Sequence, residues 1–133
     1  MRTGSLAIAV TVLAFAWLGP LPALTRQSFA AHMTLHMIVV AVAAPLVALG
    51  IAGTRADPVR IAPRFVAPIQ ASMIELVVVW AWHLPALHQA ARHGTGPFVL
   101  EQASFAAAGV LLWTAAIGGV RGQRRLRAGA GVL

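Results

Sequence analysis

His32-Met33-Thr34-Leu35-His36-Met37 opens the most hydrophobic part of the chain, an apolar run that continues through Val47 to Ile51. A run of this length predicts a membrane-spanning helix. Ionisable side chains inside it are costly to place in lipid, so they raise a question of function. Histidines four apart share a helix face, because four residues turn a helix about 40° beyond one revolution. His32, Met33, His36 and Met37 therefore occupy one arc. Imidazole and thioether together form a ligand set that copper prefers and that suits calcium and magnesium poorly. The plainer readings are an interfacial polar anchor and methionine as core filler.

The 133 residues are 59% hydrophobic and only 10% charged, with a mean hydropathy of +0.82. Soluble domains of this size do not have that composition, whereas polytopic membrane proteins do. Ten basic residues, all arginine, stand against Asp57, Glu75 and Glu101 and give a net charge of +7. The arginines sit between hydrophobic runs and in the last stretch of the sequence, without interleaved aromatics. That pattern points to membrane topology and away from nucleic acid. Cysteine is absent, so any metal must be held by histidine, methionine or carboxylate.

The expected architecture is all-α: one transmembrane domain over residues 1–133, a bundle of four helices spanning about 5–24, 28–50, 68–88 and 97–118. The first run also has the layout of a signal peptide, but its length and the lack of a small-residue cleavage pattern favour a retained helix. Ala44, Ala48 and Ala52 form a small-residue stripe that lets another helix approach. Pro45 is expected to kink the second helix, and Thr54 to Arg64 to form a loop. Trp80 and Trp82 suggest a membrane interface, and Pro85 should bend or end the third helix near His83, leaving His88 and His93 in or near a loop. Gly96, Pro97 and Glu101 mark the start of the fourth helix. Arg2, Arg55, Arg60, Arg64, Arg121, Arg124, Arg125 and Arg127 fall on one side of this layout and Arg26 and Arg92 on the other. The positive-inside bias makes both termini cytoplasmic.

That orientation puts all five histidines toward the outer face. The candidate metal ligands are His32 and His36, then His83 from a neighbouring helix, with Met33 and Met37 as soft donors. Glu101 is a candidate for orienting an imidazole. His88 and His93 are weaker candidates, because loop histidines are usually just solvated. Glu75 is expected to pair with Arg60 or Arg64.

The elements His32-Met33-Thr34-Leu35-His36-Met37, Ala44-Pro45-Leu46, Trp82-His83-Leu84-Pro85 and Leu100-Glu101, with Phe105, Gly109 and Trp113, resemble the CtaG-like integral-membrane family of caa-type cytochrome c oxidase assembly proteins. The resemblance covers roughly residues 29–113. It implies a multi-pass protein of the bacterial inner membrane, not an enzyme, that helps mature the oxidase copper centre at the outer face. Its implied motif residues are His32, Met33, His36, Met37, His83 and Glu101. The implied cargo is copper, as Cu(I), and the implied partner is the oxidase subunit carrying the copper centre, docking against the small-residue faces; self-association is left open. Gln102 and Phe98 stand where members of that family often carry histidines. Two other classes fit the composition: a small b-type haem membrane cytochrome, and a metal-free structural subunit of a respiratory complex.

Overall fold

The structure, a computed structural model, describes residues 1–64 and 66–130, and the side chains among them as far as Gly118. In chain order it forms α1 (Arg2–Leu18), α2 (Leu21–Thr25), α3 (Phe29–Met37), a π-helical segment (Ile38–Ala43), α4 (Ala44–Ile51), α5 (Pro58–Ile61), α6 (Pro68–His83), α7 (Pro85–His93) and α8 (Thr95–Ala130). There is no strand among the described residues. Two helical stretches are long and apolar enough to cross a membrane: Phe29–Ile51, with 23 residues, and Thr95–Gly118, with 24. α6 and α7 make a third crossing only if counted together across a 73° bend.

Of the four expected spans, two thus reach spanning length in one piece, the third is bent, and the first is a shorter apolar helix. α1 stops at Leu18 instead of continuing to Leu24, because Gly19 and Pro20 interrupt it and Leu21–Thr25 starts a separate short helix. At 17 residues, α1 is an apolar helix at the short end of what crosses a bilayer. α6 stops at His83 because Leu84 adopts an extended backbone before Pro85, which cannot continue the helix. The stretch beyond, expected as a loop, is helix α7, with Pro85 at its first position where the missing amide costs nothing. Thr54 to Arg64 is likewise not all loop. Asp57 caps the short α5 by accepting from Val59 N at 3.0 Å, and its other carboxylate oxygen accepts from Gly53 N at 2.6 Å. Gly53 has φ +76°, a conformation that favours glycine.

Pro45 leaves the second span helical. Proline lacks an amide and its ring crowds the carbonyl of the preceding turn. The chain answers with the π-helical segment just before it, in which Ala44 N bonds back to Val39 O. Continuing that spacing, the amide missing at Pro45 would have served Val40 O. The indole Nε1 of Trp113 donates to that carbonyl instead, at 2.9 Å. The freed backbone group is thus satisfied from α8.

The stripe Ala44, Ala48 and Ala52 is buried inside the chain. A Cβ on Gly109 of α8 would lie 3.1 Å from Ala44 Cβ, and one on Gly50 would run into Leu6 of α1. The small residues therefore seat α1 and α8, and this stripe is not a free face for an oxidase subunit. Around it, Val39, Trp82, Ala91 and Phe105 form one core and Val66, Ala71 and Ala115 another. The tryptophan pair divides. Trp80 is 70% exposed, whereas Trp82 is buried and donates from Nε1 to Ser104 Oγ at 2.8 Å. Trp82 is therefore a core residue and not an interfacial anchor.

Candidate metal centre

Three helices deliver the polar groups of this apolar molecule to one place. α3 begins with Ser28 as its cap, its hydroxyl accepting from Ala31 N, which sets His32 one turn inside. α8 follows α7 after the single residue Gly94, and this tight reversal aims Glu101 back at α3. α7 runs back from the Pro85 break and carries His88. Its position is tied by Arg92, whose guanidinium donates to Arg26 O at 2.6 Å.

His32 is 4% exposed and Glu101 fully buried, and His32 Nε2 lies 3.6 Å from Glu101 Oε1. The His32 and His88 ring centres are 5.1 Å apart. One ligand atom from each of His32, His88 and Glu101 lies within 4.8 Å of the others. His32 Nε2, His88 Nδ1 and Glu101 Oε1 are all buried without a hydrogen-bond partner. Buried polar atoms are nearly always paired, so three orphans on residues that converge in this way call for an explanation, and an ion is one. Ligands ~2.0–2.1 Å from one ion lie no more than about 4.2 Å apart, so the three would close by roughly half an ångström to share it.

The remaining sequence candidates are placed as follows. His36 is buried one turn further along the helix, its ring centre 4.1 Å from that of Phe105 and its Nδ1 without a partner. His83 is exposed, with ring centres 6.3 Å from His32 and 6.4 Å from His36. Met33 is half-buried, and Met37 is 53% exposed on the outer surface of the fold. His93 is exposed. Glu75 does not find its expected partner: its Oε2 is buried and unpaired, while Arg60 donates to Gly53 O at 2.9 Å. The basic tail Arg121, Arg124, Arg125 and Arg127 lies outside the residues whose side chains are described.

Two residues matter more in the fold than in the sequence, His88 and Gln102. His88, expected in or near a loop, lies on α7, which Pro85 at a helix start and the His88–Arg92 spacing could have signalled. Gln102 links the site to α1. Its Oε1 accepts from Trp17 Nε1 at 3.1 Å, and its Nε2 approaches Glu101 Oε2 at 3.5 Å. The departure from histidine at this position thus places an amide beside the buried carboxylate.

Apolar helices of spanning length with a buried histidine–carboxylate cluster define an α-helical membrane protein with a candidate metal centre. The chain belongs to the cytochrome c oxidase caa3 assembly factor family, whose model matches residues 1–133. No curated protein and no solved structure was found to match it. Family membership makes a cytochrome c oxidase the partner and assembly the task.

Proposed function

We propose that the chain holds a copper ion between His32, His88 and Glu101 at the outer side of the bacterial inner membrane and passes it to the oxidase subunit that carries the copper centre. The observation that carries this reading is the set of three buried, unpartnered donor atoms whose ligating groups converge within 4.8 Å. Imidazole suits copper, and the carboxylate supplies one negative charge. A monovalent ion would leave the buried site neutral, which lowers the cost of a charge away from water and favours Cu(I). The positive-inside distribution of arginines supports the outward orientation, with both termini cytoplasmic.

The test is made in cells. Replacing polar groups in membrane helices by alanine eases insertion, so His32→Ala/His88→Ala is expected in the membrane in normal amounts. The oxidase of those cells should contain haem but less than its full copper, with partial recovery when copper is added. Full oxidase copper alongside a stably inserted double variant would overturn the proposal.

A further inference from the structure

Resting on that copper reading, the geometry points to His83 as a transfer ligand, the side chain that takes the ion from the buried cluster and presents it to the recipient. His83 ends α6 at the 73° bend and is exposed where His32, His36 and His88 are not. Its Nδ1 lies 2.6 Å from Val79 O. A carbonyl oxygen only accepts, so the ring proton is on Nδ1 and the Nε2 lone pair is free. Metal-binding histidines are commonly oriented by a bond of this kind.

Spacing and exposure together suit a transfer ligand. An ion ~2.0–2.1 Å from a ring nitrogen lies about 3.2 Å from the ring centre, so two imidazoles share an ion when their centres are no more than about 6.4 Å apart. His88 lies well within that distance of His32, at 5.1 Å. His83, at 6.3 Å from His32 and 6.4 Å from His36, stands at its edge on both, and it is exposed where they are buried. A surface cavity of about 410 Å³, lined by Val79, Trp80, His83 and Leu84, gives a recipient side chain room to approach from the other side. The step is ligand exchange alone. The His83 Nε2 lone pair forms a bond to the ion as a bond to Glu101 or His32 breaks. The oxidation state is unchanged, and no proton leaves Nε2 because none is there.

The experiment uses the full chain in detergent, loaded with Cu(I), and follows release to an excess of a water-soluble Cu(I) chelator. His83→Ala should keep its equilibrium affinity within about threefold while releasing the ion about tenfold or more slowly, since affinity and dissociation rate separate when a ligand acts only in passage. Added imidazole should restore the rate, and His93→Ala, exposed on α7, should release as the parent does. Release from His83→Ala at the parent rate would overturn the inference, as would loss of the bound ion at equilibrium, which would make His83 a resident ligand. A full chain that takes up no Cu(I) would overturn the copper reading itself, together with this inference.

Discussion

His32 of α3 and Glu101 of α8 face each other inside the protein, Nε2 to Oε1 at 3.6 Å, too far for a good hydrogen bond and too near to be indifferent. Each lacks any hydrogen-bond partner at that atom. The helices that carry them are held together by glycine–alanine packing and by Trp113, so the pair depends on contacts well away from it.

The Trp113–Val40 bond is one such contact. Trp113→Phe removes the donor that replaces the Pro45 amide and leaves a carbonyl unsatisfied in an apolar setting, an expected loss of about 1–3 kcal/mol. In a Pro45→Ala background the restored amide can serve the π-helical segment, so the same change should cost less. Thermal unfolding in detergent of the four members of this cycle checks it; equal losses in both backgrounds would contradict it.

Gly109→Val is expected to destabilise by about 1–3 kcal/mol through overpacking, because a bare Cβ there already sits 3.1 Å from Ala44 Cβ. Gly4→Ala, with nothing within 4 Å of the added methyl, should leave the unfolding midpoint unchanged or raise it. Unfolding in detergent, compared between the two variants, reads the difference.

Bound copper should be lost only as the pH falls below the ordinary imidazole range, ~6.5, because the bound ion competes with the proton for the ring lone pair. Retention is full above that range and falls below it. Thioethers do not protonate, so a site built from Met33 and Met37 alone would keep its ion into acid. Equilibrium dialysis at a series of pH values separates the two.

For topology, a reporter fused after Arg127 should be active on the cytoplasmic side and one inserted at Gly94 on the outer side. The reverse pattern would put the His32–His88–Glu101 group toward the cytoplasm.

The helical class was legible in the hydrophobic runs alone, and so were His32 and Glu101, because ionisable residues are conspicuous in such runs. His88 is harder to read, because a proline that bends or ends one helix does not by itself announce an ordered helix beyond it. In the structure Pro85 also starts α7, which brings His88 back over His32. Pro45 signals a local irregularity in the second helix, and a π-helical segment does precede it. Its actual accommodation requires Trp113, 73 residues beyond Val40, and no local pattern carries that information. The Glu75 pairing failed because charge complementarity was judged without distance, and Arg60 is taken up by the Gly53 carbonyl in its own loop. The small-residue stripe was read correctly as a close-packing surface, but α1 and α8 of the same chain cover it.

The most direct test is the copper stoichiometry of the purified full chain by metal analysis after Cu(I) loading, in competition with zinc. The account predicts one copper per chain, held against zinc. His32→Ala, His88→Ala and Glu101→Gln should each weaken binding by more than the roughly 10–100-fold that loss of an outer-sphere partner costs, and Met37→Leu should change nothing. A chain that binds no copper, prefers zinc, or keeps its copper through all three replacements would contradict it.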